Sequence, residues 1–317
     1  MGYDSCFEEH NFIDHANSGF NHLKMLLSCL LKLRFDAWSL LVKRRKVYGE
    51  AIKKIPIEKT AKKADCYILG SDTVWDVAID YFLNHYTLFW GTQFKNAKVI
   101  SYAPSVGFSK KEDIEKCGFI RDALSKMSAV SVRDRHSKEL LQPYCDKEIE
   151  IVCDPTYLLD RTEYDAIAKP TNLKNFLFIY CYGKMPSDYK EAIQTFVKEH
   201  GLKTVTFGTA NSWCDISLAY DPLLFLSIYD KADYIITNTF HGTVFATIYE
   251  KRFAVIKNEK PKILDVLELC GMSDKMTRTA EDISSILCSG FDYAVTRDNI
   301  LREREKGLQY LKKAIEG

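Results

Sequence analysis

The chain of 317 residues lacks several patterns that would assign it to a familiar functional class. Its formal net charge is only +1, so it has no large basic field of the kind that nucleic-acid binders carry. It has no Walker glycine loop and no dinucleotide-binding Gly-x-Gly-x-x-Gly motif after a strand. The ten cysteines are scattered without Cys-x-x-Cys spacing, so we expect free thiols in a reducing cytoplasm rather than disulfide bonds or a zinc site.

The chain also lacks an unbroken apolar stretch that could cross a membrane or act as a secretory signal. Met1–His10 is polar and acidic, and charged residues interrupt Leu23–Val42. Leu23–Val42 is nevertheless amphipathic, and the basic run Lys43–Lys46 follows it. One interpretation is a helix on an anionic membrane surface, which would place a cytoplasmic protein peripherally at the inner face of the membrane. The other, which we favour, is a helix packed against its own domain.

From Cys66 onward, short apolar runs alternate with helical periods. Strands that alternate with helices predict parallel sheets, and the pattern occurs as two series separated by the charged, proline-containing stretch Asp160–Asn175. The sequence therefore predicts an α/β fold with two Rossmann-like domains facing a cleft. We expect an N-terminal domain over residues 1–165, a C-terminal domain over 166–295, and a helix over 296–317 that packs back on the N-terminal domain.

The most informative segment runs from Ile235 to Thr243, where an apolar run ends in small polar residues followed by His-Gly. This pattern predicts a buried strand, a tight turn, and a helix whose first turn carries His241. The N–H groups and dipole of such a terminus attract phosphate or carboxylate, and a histidine there can move a proton. The alternative is a histidine that caps its helix or bonds within the core. Gly242 favours a site, because glycine lets a ligand approach the backbone closely.

A second candidate is the Gly70-Ser71-Asp72 turn with Trp75 one turn later. The hydroxyl and the carboxylate could hold a sugar while the indole stacks on its apolar face. A helix N-cap with a tryptophan in the core explains the same residues equally well. Tyr102, near the end of another predicted strand, is consistent with packing.

Arg133 stands at the end of a third predicted strand. Its guanidinium could clamp a carboxylate or phosphate with paired hydrogen bonds. The alternative is a surface ion pair with Asp134 or Glu139. The Asp154-Pro155 pair is more consistent with a turn than with an acid catalyst.

Taken in order, these motifs resemble the polysaccharide pyruvyl transferase family over about Asp65–Arg278. Each motif is weak by itself, but five in the right order make a specific signal. The resemblance implies a fold similar to two-domain glycosyltransferases of the B type. It also implies transfer of the enolpyruvyl group of phosphoenolpyruvate to a sugar of a surface polysaccharide, as a cyclic ketal. The motifs are Gly70-Ser71-Asp72-x-x-Trp75, Ser101-Tyr102-Ala103-x-Ser105-x-Gly107, Ser131-Val132-Arg133, Asp154-Pro155-x-x-Leu158-Leu159 and Thr237-x-x-Phe240-His241-Gly242-Thr243-x-Phe245.

The resemblance implies that His241 is the general acid/base, with Asp72 as second choice, a base for the acceptor hydroxyl. It assigns the acceptor to the N-terminal domain and the anionic donor to the C-terminal domain. No cofactor or metal is implied, and the expected partners are a small-molecule donor and a glycan, free or lipid-linked, without nucleic acid. Further substrate contacts are expected at Ser71, Trp75, Tyr102, Ser105, Arg133, Asn238, Thr239, Phe240, Gly242 and Lys262.

Three features depart from the family's usual pattern. Thr239 stands where many members have arginine, and Lys262 stands where a helix often begins with arginine, which keeps the charge but loses the fork geometry. Met1–Asp4 looks like the entry to a second strand, so the first βα unit would be missing. Two other functions fit the architecture. One is a nucleotide-sugar glycosyltransferase, with Glu250 as the acidic candidate for base and ribose binding; the other is a non-catalytic member acting in polysaccharide assembly.

Overall fold

The structure is a computed structural model that describes residues 64–208, 211–257 and 261–317, with a few isolated positions before residue 64. The helix predicted over Leu23–Val42 therefore lies largely outside the described residues. Within the part described, no helix has the length and apolar character needed to cross a membrane. The chain divides into two compact units. The first comprises Met1–Lys62, Arg161–Asn258 and Asp274–Phe291, and the second comprises Lys63–Asp160, Glu259–Ser273 and Asp292–Gly317.

Strands and helices alternate along both units, as the apolar pattern predicts. The described strands are β1 (Tyr3–Asp4), β2 (Ile57–Glu58), β3 (Cys66–Leu69), β4 (Lys98–Ser101), β5 (Ser131–Val132), β6 (Glu150–Ile151), β7 (Phe176–Tyr180), β8 (Lys203–Phe207), β9 (Ile216–Leu218), β10 (Tyr234–Thr237) and β11 (Arg252–Val255). The described α-helices are α1 (Asp80–Asn84), α2 (Tyr86–Phe89), α3 (Lys111–Glu115), α4 (Ile120–Lys126), α5 (Arg135–Leu141), α6 (Arg161–Ile167), α7 (Ser187–Glu199), α8 (Pro222–Lys231), α9 (Phe240–Ile248), α10 (Pro261–Leu269), α11 (Asp282–Cys288) and α12 (Ala294–Glu316).

The strands of the described residues pair in parallel throughout. The pairs are β1 with β2, β3 with β4, β5 with β6, and the neighbours within one five-stranded sheet. Parallel pairing requires a crossover between successive strands. Helices supply it between β3 and β4, β5 and β6, β7 and β8, and β10 and β11, whereas no described helix lies between β8 and β9. The predicted α/β class with parallel sheets is confirmed.

The first unit is built on the five-stranded sheet, with strand order β11-β10-β7-β8-β9. From β7 the chain proceeds in one direction through β8 and β9. It then crosses to the opposite side of β7 to form β10 and β11. The order of strands therefore reverses between β7 and β10. In open parallel sheets, ligands bind at such a reversal, outside the carboxyl ends of the strands.

The central strand β7 is the apolar run Phe-Leu-Phe-Ile-Tyr, and all five residues are buried. Successive side chains of a strand point to opposite faces of the sheet. Leu177 and Ile179 accordingly join the core formed with α7 and α11. Phe178 and Tyr180 lie on the other face, where their rings contact Phe225 of α8 at centroid distances of 6.2 and 4.9 Å. Burial on both faces explains why this strand reads as a continuous apolar run.

The second unit carries the parallel pairs β3–β4 and β5–β6, with Leu69 opposite Ser101. The Ser101 hydroxyl donates to the Ser131 carbonyl at 2.8 Å, which joins the carboxyl end of β4 to the start of β5. The C-terminal helix α12 lies in this unit, where the Tyr310 hydroxyl donates to the Ser101 carbonyl at 2.9 Å. The carboxyl end of β4 is thereby joined to β3, β5 and α12.

Candidate active site

The carboxyl ends of β7 and β10 hold the segment singled out in the sequence. Thr237 at the end of β10 is in register with Tyr180 at the end of β7. Helix α9 begins at Phe240, so Asn238 and Thr239 make the whole turn between strand and helix. The predicted order of strand, tight turn and helix is confirmed. The turn lies where the strand order reverses.

Two threonine hydroxyls hold this turn. The Thr237 hydroxyl donates to the Tyr180 carbonyl at 2.7 Å and accepts from the Thr239 N–H at 3.1 Å. The Thr239 hydroxyl accepts from the Gly242 N–H at 2.9 Å, which makes Thr239 the N-cap of α9. The two hydroxyl oxygens are 3.0 Å apart. Thr239 is therefore a buried helix cap at the position where the resembled family often carries arginine.

Gly242 is needed for a reason that differs from the one predicted. A Cβ atom at this position would lie 2.0 Å from the Thr237 hydroxyl oxygen and 2.5 Å from that of Thr239. On this side, the glycine makes room for the threonine cap rather than for a ligand. Its carbonyl accepts a hydrogen bond from the Tyr229 hydroxyl at 3.1 Å, which ties the first turn of α9 to α8.

His241 is the second residue of α9 and is partly exposed. The preceding Phe240 is buried, and the two rings meet nearly at right angles with their centroids 5.3 Å apart. The imidazole therefore stands on the first turn of a helix with one flank against an apolar ring. Such a position suits the binding of an anion beside a group that transfers protons.

Asn238 joins this turn to the loop after β7. Its Oδ1 accepts from the Tyr182 N–H at 2.9 Å, and its Nδ2 donates to the Tyr182 carbonyl at 2.8 Å. The predicted substrate contact at Asn238 is thus a side chain that positions the neighbouring loop. Tyr182 was not selected as a site residue, although it is the last aromatic residue before Gly183 closes the β7 segment.

The threonine cap leaves no room for a side chain at residue 242, and a substitution can test this. Gly242→Ala should lower the free energy of unfolding by about 1–3 kcal/mol, because the added methyl group overpacks two hydrogen-bonded hydroxyls. Thermal or urea unfolding measures the change. Gly290→Ala in the same unit is the control, since no atom lies within 4 Å of the added Cβ, and it should be neutral or slightly stabilising. Equal stability of the two variants would contradict the account of the turn.

The second unit presents Asp72 just beyond the carboxyl end of β3. Gly70 precedes it with a φ of +122°, and a Cβ there would lie 2.2 Å from the Tyr102 carbonyl oxygen, so only glycine fits. The Asp72 carbonyl accepts from the Ser105 N–H at 2.7 Å, which joins this turn to the segment after β4. Ser71 is partly buried, whereas the Asp72 side chain is 57% exposed. A carboxylate is therefore held in a fixed turn and open to solvent.

Arg133 lies beneath that carboxylate. Its side chain is only 1% exposed, Nη1 donates to Asp154 at 2.8 Å, and Nη2 donates to Asp72 at 3.1 Å. Burial lowers the pKa of the Arg133 guanidinium, but the charges of Asp154 and Asp72 outweigh it, so the pKa is raised. These ion pairs replace the surface pairing with Asp134 or Glu139 considered from the sequence, although the charge of Asp134 also contributes to the raised pKa. In this arrangement the predicted anion clamp is occupied by the protein's own carboxylates.

Trp75 and Tyr102 are both core residues in this structure. Trp75 is fully buried, its indole donates to the Phe89 carbonyl at 2.8 Å, and its ring stacks on Trp90 at a centroid distance of 4.4 Å. The indole therefore has no face open to a sugar, and core packing is the interpretation that the structure favours. Tyr102 is 5% exposed, and its hydroxyl lies 3.7 Å from the Cys153 sulfur.

Ser105 and Lys262 line one small pocket of the second unit, together with Asp134 and His136. One Asp134 oxygen accepts from the Ser137 N–H at 2.8 Å. The other Asp134 oxygen is buried and has no hydrogen-bond partner among the residues described. The pocket is lined by side chains that can donate and accept hydrogen bonds, whereas that Asp134 oxygen is buried beneath its surface. Asp134 and His136 were not selected from the sequence, although both follow β5 directly.

The two carboxylates on Arg133 should respond differently to mutation. Asp154→Ala should cost about 3–5 kcal/mol of unfolding free energy, because it leaves a buried guanidinium without its closest partner. Asp72→Asn should cost no more than about 1 kcal/mol, because that side chain is largely exposed. Urea unfolding of both variants measures the difference. Similar losses for the two would mean that Arg133 does not depend mainly on Asp154.

Comparison of the sequence with models of known protein families identifies the family of this chain. The model of the family described as polysaccharide pyruvyl transferase matches residues 11–260. The chain belongs to this family. Membership makes it a transferase, and the matched region contains Asp72, Arg133 and His241, with Lys262 just beyond it.

The solved structures that are similar to this pyruvyl transferase family member include UDP-GlcNAc 2-epimerases. That of Methanocaldococcus jannaschii aligns with a TM-score of 0.49 and 11% identity, covering 93% of this chain and 82% of the other. That of Neisseria meningitidis, bound to UDP-GlcNAc, aligns with a TM-score of 0.44 and 11% identity, covering 78% and 76%. That of Rickettsia bellii aligns with a TM-score of 0.44 and 11% identity, covering 88% and 80%. Comparison with curated proteins found no match.

Proposed function

We propose that the chain transfers the pyruvyl group of phosphoenolpyruvate to two hydroxyl groups of a sugar in a surface polysaccharide or its precursor, forming a cyclic ketal. The family match supports polysaccharide pyruvyl transfer. The observation that carries the proposal is His241 on the first turn of α9, at the edge where the strand order reverses. The donor brings a phosphate and a carboxylate, which are the anions that such a helix terminus attracts.

The reaction is balanced without an oxidant or reductant. A proton adds to C3 of the enol, which becomes a methyl group, while one sugar hydroxyl forms a bond to C2. The bond between C2 and the phosphate oxygen breaks, and the second hydroxyl forms the second bond to C2. The two hydroxyl protons balance the proton gained by C3 and the proton that leaves with phosphate. The chemistry therefore asks the protein for anion binding and proton transfer.

His241 is the group we assign to proton transfer at the donor. A positioned general acid or base contributes about 10²–10⁴-fold in rate. Thr239 adds no charge beside it, so the backbone and dipole of α9 take a larger share of anion binding than in a family member with arginine there. Asp72 is the second candidate, as a base for the acceptor hydroxyl. Its exposure and its contact with Arg133 support that role, since the guanidinium orients the carboxylate.

A nucleotide-sugar glycosyltransferase is the alternative from a different reaction class. Its acidic candidate, Glu250, follows the end of α9, whereas His241 is in the first turn of that helix. The nine residues of α9 span about 13 Å at 1.5 Å per residue. Glu250 is therefore remote from the carboxyl edge of the sheet, which weakens this alternative.

Ligand-induced stabilisation tests the donor. Phosphoenolpyruvate at 100 times its dissociation constant should stabilise the folded chain by about 2.7 kcal/mol, a rise of several degrees in the thermal midpoint. Uridine diphosphate should produce no comparable rise. His241→Ala should fold with a similar midpoint in the absence of ligand and should lose most of the phosphoenolpyruvate response. It should also abolish turnover.

The control is His200→Ala, an exposed histidine at the end of α7, which should keep the full response. A response to uridine diphosphate alone would favour the glycosyltransferase. A folded chain that responds to neither ligand would favour the non-catalytic member. Near-normal turnover by His241→Ala would show that the catalytic assignment is wrong.

A further inference from the structure

Tyr182 is an aromatic residue that stays exposed at the carboxyl end of β7. It lies two residues beyond Tyr180, the last residue of the strand, and 62% of its surface is open to solvent. A single exposed aromatic side chain needs no functional explanation by itself. Its attachment and its position in the sheet are what distinguish it.

The ring of Tyr182 is held although it is exposed. Its hydroxyl is 2.9 Å from the hydroxyl of Tyr180, and the two rings meet at 61° with their centroids 5.6 Å apart. Both backbone groups of Tyr182 are bonded to the Asn238 side chain, as described above. Three hydrogen bonds therefore fix one exposed side chain and its backbone. Because the Tyr182 ring is already held in place, it loses less conformational entropy when a ligand binds.

The support beneath Tyr182 is rigid. Tyr180 is buried, and burial, with smaller effects from Tyr220 and Tyr182, raises the pKa of its phenol well above the usual range. Its hydroxyl therefore stays protonated and available for hydrogen bonding. The Tyr180 ring packs against Phe225 of α8 at 4.9 Å, within the aromatic core of the sheet.

Tyr182 lies beside the turn that precedes α9. Tyr180 is opposite Thr237, and both backbone groups of Tyr182 are bonded to Asn238, the residue before Thr239, which is the N-cap of the helix that carries His241. The two segments flank the point where the strand order reverses. Within the first unit, the exposed ring and the histidine therefore belong to one edge and to adjacent strands.

We propose that Tyr182 is a stacking platform for the pyranose ring of the acceptor. This inference rests on the proposed function, in which sugar hydroxyls must reach C2 of a donor bound at the His241 turn. The donor has no ring to stack, whereas a pyranose offers an apolar C–H face to an aromatic ring and hydroxyl groups to the phenols beside it. Part of the acceptor site then lies on residues 166–295, the region that the resemblance assigned to the donor alone.

The probe is a panel of methyl glycosides of glucose, galactose, mannose and their 2-acetamido forms, observed by saturation-transfer-difference NMR without donor. At least one should receive saturation at its ring C–H protons from the wild-type chain. Tyr182→Ala should lose that signal and raise the acceptor KM about tenfold, with little change in kcat or in the thermal midpoint. Tyr182→Phe keeps the ring and should stay within about threefold of wild type.

The control is Leu308→Ala, which removes an exposed apolar side chain from α12 and should change neither readout. Equal sugar signals from wild type and Tyr182→Ala, or no signal from any glycoside, would overturn the platform. A loss in Tyr182→Phe as large as that in Tyr182→Ala would assign the effect to the hydroxyl and also overturn it. Loss of a uridine diphosphate signal instead would identify the occupant as a nucleotide base. A Tyr182-dependent sugar signal without any phosphoenolpyruvate response would retain the platform and reject the donor.

Discussion

The Thr237 hydroxyl fixes the turn on which the candidate site of the first unit depends. It donates to the end of β7, accepts from the N-cap Thr239, and fills the space where a side chain on residue 242 would stand. A strand, its neighbour and the first turn of a helix are thereby locked by one oxygen atom. These buried hydrogen bonds fix the first turn of α9 and therefore the position of His241. The position of His241 does not depend on a bound ligand.

In the second unit, ion pairs rather than hydroxyl groups hold the candidate residue in place. A guanidinium that is almost completely buried bonds one buried carboxylate and one exposed carboxylate. The buried partner, Asp154, balances the charge within the protein, and the exposed partner, Asp72, is oriented by it. Each unit thus has one candidate titratable residue after the carboxyl end of a parallel strand, His241 in the first unit and Asp72 in the second. Buried side chains fix the position of each.

The sequence predicted correctly those features of the fold that depend on residues close together in the chain. The apolar run, the small polar turn and the His-Gly pair of residues 235–243 predicted strand, turn and helix correctly, because each depends on neighbours in the chain. It could not predict the partners of Arg133, which are 21 and 61 residues away. Trp75 was ambiguous, since an indole suits both a core and a sugar site. The edge strand β9 was missed because its three residues, Ile-Ser-Leu, are too few to establish a period. The anchoring of Tyr182 depends on register between strands, which periodicity does not encode.

The proposed function depends on ketal formation from phosphoenolpyruvate. NMR can follow this step directly when phosphoenolpyruvate labelled with ¹³C at C3 is incubated with the chain and a panel of pyranose glycans. We expect the labelled methylene carbon to become a methyl carbon on a ketal of the glycan, with one phosphate released for each methyl formed. Recovery of unchanged phosphoenolpyruvate, or release of free pyruvate without label on any glycan, would contradict it.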